Sequence, residues 1–366
     1  MTIPFLSFAP QHTPIREEVL AAVAGVYDSH WYVLGSAVEQ FEREYAAFNQ
    51  VGYCVGVANG LDALHLALRA LGVGEGDEVI VPSNTYIATW LAASFVGAKP
   101  VPVEPDPLTY NLDPARVEAA ITPRTKVIMP VHLYGQACEM DALMALAARH
   151  KLAVVEDNAQ SQGATWNGQL AGSFGALNGT SFYPGKNLGA LGDAGAITTN
   201  DADLAQRVRT LRNYGSQKKY YNEVIGQNSR LDELQAAVLS VKLPYLTEWT
   251  AQRQQVAAHY NAALAGIGDV VLPTVAAGAT HVYHLYVIRT ARRDALQQHL
   301  TAQGIGTLIH YPVPPHLQQA YAPVGLKAGA FPIAEELANT CLSLPMWPGM
   351  TADQVQQVAD AIRRFY

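Results

Sequence analysis

Between residues 51 and 200, short apolar runs alternate with longer stretches in which leucine and alanine recur every three or four positions. Tyr53–Ala58 is one such run, and Gly60 to Ala70 follows it with Leu61, Leu64, Leu68 and Leu71 at helical spacing. Glu78–Val81 reads as a strand ending at Pro82, and Thr85 to Val96 as a helix closed by Gly97. Pro100–Val103 is another short strand. Asp113 is placed to cap a helix opening at Pro114, because a carboxylate accepts free N–H groups there and proline tolerates the first helical position. Thr125–Met129, Asp141–His150 and Ala153–Glu156 continue the alternation. This order predicts an α/β protein with a mostly parallel sheet and helices on both faces.

Ala202–Asn213 and Arg230–Leu243 are predicted helices, and Pro244 breaks the pattern. A long helix is predicted from Thr247 to Ala265. Beyond it come a strand at Tyr283–Arg289, a helix at Arg292–Gln303, a proline-rich stretch from Tyr311 to Pro323 and a last helix from Thr351. The change of texture predicts a large domain over residues 1–248 and a smaller α/β domain over 249–366. A chain of 366 residues suits that division.

With 49% apolar and 15% charged residues, the chain can bury a large core. Its net charge of −7 argues against non-specific binding to nucleic acid or to anionic membrane. No apolar stretch is long enough to span a bilayer, and the start of the chain, interrupted by Pro4, Pro10 and Pro14, does not read as a signal peptide. Cys54, Cys138 and Cys341 are odd in number and form no CxxC pair. Neither a disulfide framework nor a metal site is expected, and the cytoplasm is the expected compartment.

Four short segments carry candidate chemistry. Among the eight lysines, Lys186 alone sits where an aromatic strand end, Ser181-Phe182-Tyr183, runs into a Pro184-Gly185 turn. Functional residues are commonly exposed on such loops, though a solvated loop lysine is an equally open reading. Glu156 and Asp157 follow three apolar residues, which places Asp157 at a strand end; a buried carboxylate there needs a cationic partner or a proton, and capping the next turn is the alternative. Asn59-Gly60 joins a strand to a helix whose free N–H groups suit a phosphate, or is an ordinary tight turn. It lacks the Gly-Lys-Ser/Thr ending of a Walker loop and is not GxGxxG, so triphosphate hydrolysis and dinucleotide binding lose support. Tyr86, after Ser83-Asn84-Thr85, would open a helix and could stack on a flat ligand or be a partly buried tyrosine. A parallel sheet would gather all four into one crevice at the C-terminal ends of its strands.

The run SFYPGKNLGALGDAG, residues 181–195, resembles the cofactor-lysine region of the DegT/DnrJ/EryC1/StrS family of fold-type-I sugar aminotransferases. ANGLDALHLAL from Ala58, VPSNTYIAT from Val81, EDNAQSQGA from Glu156 and GQNSRLDELQAA from Gly226 occur in the family's order, so the resemblance covers nearly the whole chain. It implies pyridoxal 5′-phosphate (PLP) as cofactor, with pyridoxamine 5′-phosphate as the form that carries the amino group. It implies that Lys186 binds PLP covalently and Asp157 pairs with its ring nitrogen. Gln160, at a position where many members have histidine, would reach the 3-hydroxyl, and Tyr86 would stack on the ring. Asn59, Gly60 and Ser181 would hold the phosphate, and Asn228 would reach the phosphate of a neighbouring subunit in a homodimer with shared active sites.

NTYIATW, PVHLYGQ and SQKKYYNEVIGQNSRLDE are most similar to members that aminate C-3 of dTDP-linked 3-keto-6-deoxyhexoses, with L-glutamate as donor. Tyr183 and Gly185 depart from the SFHxTK pattern of members that act at C-4, which remain the alternative. Tyr183, Lys219, His310, Tyr311 and His316 are candidate sugar-nucleotide contacts; surface polar residues are the competing reading for Lys219 and His316. A related sugar dehydratase branch carries histidine in place of the cofactor lysine, and Lys186 argues against it.

Overall fold

The structure is a computed structural model, which describes residues 2–366. Seven strands form the central sheet: β1 (Tyr53–Val57), β2 (Glu78–Pro82), β3 (Lys99–Val103), β4 (Thr125–Ile128), β5 (Ala153–Asp157), β6 (Leu177–Ser181) and β7 (Gly195–Thr199). Their spatial order is β1-β7-β6-β5-β4-β2-β3. From β3 to β6 every pairing is parallel; β7 runs antiparallel to both β6 and β1. The sheet is therefore mixed and mostly parallel, as expected. Because β7 alone is reversed, β1, β2, β5 and β6 all end on one edge.

Alternate residues of each strand enter different cores, as the two-residue period of a strand requires. Val55, Val79, Val81, Val127, Val155 and Ile197 pack with the helices Gly60–Ala70, Ile87–Phe95 and Ala202–Leu211. Ile80, Ile128 and Val154 face Met140–His150 on the other side, and Cys54 and Ala196 face Ser36–Phe48 and Glu233–Lys242. Both faces are thus covered, which explains why these strands read as continuous apolar runs.

The long helix Leu246–Leu264 leads to a second core, formed with Arg293–Ala302, Ala352–Phe365 and an antiparallel pair, β8 (Tyr286–Arg289) and β9 (Cys341–Leu344). Ile3 packs in this core and pairs with Ile305, so the start of the chain crosses to the C-terminal elements.

Predicted and observed boundaries differ where local geometry intervenes. The helix predicted from Thr85 begins at Ile87, because Tyr86 is extended (φ −65°, ψ 144°) and acts as its N-cap. The helix predicted from Arg230 begins at Glu233, after Asn228 and Asp232 have formed bridges to Asn213 and Val33. The strand predicted from Tyr283 begins at Tyr286; Tyr283 has φ +47°, and its N–H donates to Nδ1 of His281. Asp113 caps the helix Pro114–Ala120 through Ala115 N, as expected.

Candidate active site

The edge where β1, β2, β5 and β6 end carries a cavity of about 720 Å³, within the usual range for a small-molecule site. Asn59, Gly60, Tyr86, Asp157, Ser181, Tyr183, Lys186, His310 and Tyr311 line it. Nine residues proposed from scattered segments of sequence thus meet in one place.

At the end of β1, the Asn59 side chain accepts a hydrogen bond from Asp62 N at 2.9 Å and caps the helix Gly60–Ala70. The first N–H groups of a helix have no carbonyl one turn back to donate to; here Asn59 takes that of Asp62, while Gly60 and Leu61 line the cavity. Glycine is required there for space: a Cβ on Gly60 would lie 2.6 Å from Ser181 Cβ and 3.2 Å from its Oγ. The helix start and the Ser181 hydroxyl therefore form one cradle for an anion.

Asp157 closes β5 and is buried. Its Oδ2 accepts from Thr89 Oγ1 at 2.8 Å and its Oδ1 from Ala159 N at 3.2 Å. Burial nevertheless pushes its carboxyl above the usual range, opposed by these two bonds and by the charges of Lys186 and His132. A cationic partner would restore the carboxylate, as the protonated nitrogen of a pyridine ring would.

Lys186 lies in the loop after β6, in a turn closed by its own N–H to Tyr183 O at 2.8 Å. Burial lowers its pKa from 10.5 to about 8, against the opposing pull of Asp157. Such a lysine is available as a neutral amine close to neutral pH. Tyr86 and Tyr311 rings stand 5.1 Å apart, tilted by 35°, and Tyr86 remains half exposed to the cavity. Gln160 lies just behind them: its Oε1 accepts from Tyr134 N at 2.6 Å and its Nε2 donates to Tyr311 OH at 3.1 Å. His310 is bonded to Ser343 Oγ at 2.8 Å, and burial together with the Lys186 charge lowers its pKa to about 4.

Three candidate residues lie elsewhere. His316 is buried and bonded to Glu335 at 2.9 Å, away from the cavity lining. Lys219 is exposed beside Tyr220, between Ser216–Lys218 and Tyr221–Asn222. Asn228 is exposed on the segment that bridges to Asn213. Conversely, Thr89, Arg253 and His284 belong to the site and were not singled out from sequence. Thr89 sits three residues after Tyr86, so helical spacing from that tyrosine was the available signal; Arg253 and His284 lie in unremarkable local sequence.

Residues 13–363 match the DegT/DnrJ/EryC1/StrS aminotransferase family. The chain belongs to this family. This aminotransferase is 52% identical over 363 residues to dTDP-3-amino-3,4,6-trideoxy-alpha-D-glucose transaminase of Streptomyces venezuelae, covering 99% of this chain and 96% of that protein. It is equally 52% identical, over 365 residues and 99% of each chain, to dTDP-3-amino-3,6-dideoxy-alpha-D-galactopyranose transaminase of Aneurinibacillus thermoaerophilus. Its fold superposes on the crystal structure of DesV from S. venezuelae in complex with a ketimine intermediate, with a TM-score of 0.97, 52% identity, and 100% and 98% of the two chains covered. The aminotransferase is a PLP enzyme, and the cradle, the cation-seeking Asp157 and the lysine beside it fit that cofactor. Among the described residues, no helix is long and apolar enough to cross a membrane.

Proposed function

We propose that this protein transfers an amino group from L-glutamate to C-3 of a dTDP-linked 3-keto-6-deoxyhexose, giving the dTDP-3-amino-3,6-dideoxyhexose. The observation that carries the reading is the convergence of Lys186, Asp157, Tyr86 and the Asn59-Gly60-Ser181 cradle on one cavity. The substrate class rests on the two dTDP-3-amino-sugar transaminases that are 52% identical to this chain.

When bound, PLP supplies an electron sink and carries the amino group from donor to acceptor. The chain's own residues do the rest. Gly60 N–H, the adjoining helix start and Ser181 Oγ would hold the phosphate. Tyr86 would cover one face of the ring, and Gln160, bonded to Tyr134 N and Tyr311 OH, would reach the ring hydroxyl only by exchanging one of those bonds. Asp157, steadied by Thr89 and Ala159, would hold a proton on the ring nitrogen by its charge. Lys186 would hold the cofactor covalently, and its Nζ, when free, would take up and return a proton at the substrate. With its pKa lowered to about 8, it can act in both directions near neutral pH. Tyr183, His310 and Tyr311 line the mouth where the sugar would sit. Lys219 would meet the nucleotide only from an adjoining surface, and His316, buried against Glu335 away from the cavity, is left without a substrate contact.

The working form is a cytoplasmic homodimer in which Asn228 reaches the partner's phosphate site. Its exposure, with Ile225 88% and Tyr220 85% exposed nearby in sequence, supports a surface that a second copy covers. We further propose the domain division near residue 248, supported by the separate core that begins with the helix Leu246–Leu264.

Product analysis tests the reading. Purified protein, PLP and L-glutamate are incubated with dTDP-3-keto-6-deoxyglucose and, separately, with its galacto epimer, each generated in situ, and NMR locates the new amine. Amination at C-3 of either epimer is expected. No reaction with both, but amination at C-4 of the 4-keto sugar, would overturn the C-3 assignment.

A further inference from the structure

Among the described residues, Arg253 is a buried cation with no anion beside it. It projects from the helix Leu246–Leu264, is 2% exposed, and lines the same cavity as Lys186 and Asp157. Among the described residues three arginines are buried: Arg212, Arg253 and Arg293. Arg212 pairs with Glu42 and Arg293 with Asp294, whereas Arg253 forms no ion pair. One of its terminal nitrogens donates to Tyr283 O at 3.2 Å and His284 O at 3.4 Å, and its Nε has no partner.

Two carbonyl contacts do not compensate a buried guanidinium; its desolvation calls for an anion and for the remaining donors to be used. Burial lowers its pKa to about 10, so it stays charged at neutral pH. Beside it, His284 also lines the cavity, with Nδ1 unpartnered, and burial with the charges of Lys186 and Arg253 keeps its ring neutral. This wall therefore offers a fixed cation and an unused neutral imidazole nitrogen. The phosphate cradle lies elsewhere, at the ends of β1 and β6, and Lys186 is the reacting group. The fixed cation is left for an anion that arrives with the substrate.

We propose that Arg253 recognises a carboxylate of the amino donor, with His284 as a neighbouring hydrogen-bond partner. An amino acid brings its carboxylate to the reacting centre together with the amine, whereas a nucleotide sugar brings its phosphates at a distance from the reacting carbon. The inference rests on the aminotransferase reading above, and it assigns the donor half of the site.

The test separates the two half-reactions. The cofactor-loaded protein is converted in single turnover either by L-glutamate or by the dTDP-amino sugar acting in reverse, and the cofactor absorbance is followed. For Arg253→Gln, the L-glutamate concentration giving half-maximal rate should rise about 10- to 100-fold. The corresponding value for the amino sugar should change by less than about threefold, since Arg253 does not touch it in this account. Arg253→Lys should recover part of the loss, and weaker competition by glutarate in Arg253→Gln supplies a readout independent of turnover. If Arg253→Gln fails to fold, the same pair of measurements on Arg253→Lys decides, with glutamate impaired more than amino sugar. Equal losses in both halves would assign Arg253 a purely structural role, and a loss confined to the amino sugar would assign it to the nucleotide phosphates; either overturns the proposal. A wild-type protein converted by neither compound would instead overturn the aminotransferase reading itself.

Discussion

Lys186 and Asp157 share a cavity that disfavours both of their charges, and each restrains the other's shift. Lys186→Ala removes the proton carrier and the covalent hold together. Turnover should fall by at least about 10²- to 10⁴-fold, while PLP still binds non-covalently, as equilibrium dialysis would show. Thr89→Val deprives Asp157 of its side-chain donor and should weaken PLP retention, with the loss growing as pH falls because the carboxyl is already raised. A third expectation concerns stability without cofactor. Folded Lys186 releases its proton near pH 8, whereas the unfolded chain holds it up to the usual 10.5. The unfolded state thus binds more protons between those values, so stability should climb with pH across that window. Lys242, also lowered to about 8 by burial, adds a parallel rise. Urea midpoints measured from pH 8 to 10.5 should show a shallower rise in Lys186→Met, with the Lys242 share intact. These ionisable residues were legible because lysine and aspartate at strand ends stand out. Thr89 and Arg253 were not, since nothing in local sequence shows that a helix face several segments away turns into the same cavity.

Helix starts and strand ends do much of the positioning. Gly60→Ala would drive a methyl group against Ser181 and should weaken PLP binding by about 1–3 kcal/mol, measured by cofactor titration; a variant that kept full affinity would show the cradle to be wrongly drawn. A second device is the buried pair Glu42–Arg212 at 2.5 Å, whose members also hold Gly56 N and O on β1, next to the cradle. Glu42→Ala should cost about 3–5 kcal/mol by leaving Arg212 unpaired, readable in chemical denaturation. The strands β1 to β5 were legible as apolar runs. The pair β6 and β7 was harder to see, although the aromatic end at residues 181–183 was recognised. Their buried faces carry Asn178, Thr180 and Thr198 in place of valine and isoleucine, and these polar groups find partners inside: Asn178 Nδ2 donates to Gly172 O and Thr198 O, Thr198 Oγ1 to Gly172 O, and Thr180 Oγ1 accepts from Asn158 Nδ2. Periodicity alone does not reveal a buried strand of that kind.

The central sheet is tied to the helix that precedes β9 by Glu104, beyond β3. Its carboxylate accepts from Ile333 N and Ala334 N, the free end of the helix Pro332–Thr340, and from Ser83 Oγ beside the site. Fold class was legible from segment order and the cofactor from the family resemblance; the tie through Glu104 was not, because a lone glutamate carries no mark of its distant partner. Assembly makes its own prediction. If Asn228 serves the partner's site, Lys186→Ala and Asn228→Ala dimers, each impaired alone, should regain activity when dissociated and mixed, since each mixed dimer then contains one site with both residues intact. Absence of any recovery would place Asn228 outside the neighbouring site. The attachment of PLP to Lys186 can be tested chemically. The cofactor-loaded protein is reduced with borohydride, digested, and mapped by mass spectrometry. The phosphopyridoxyl group should be found on the peptide containing Lys186 and on no other. Its appearance on a different lysine, or no covalent label at all from a protein that turns over, would contradict the assignment on which every step above depends.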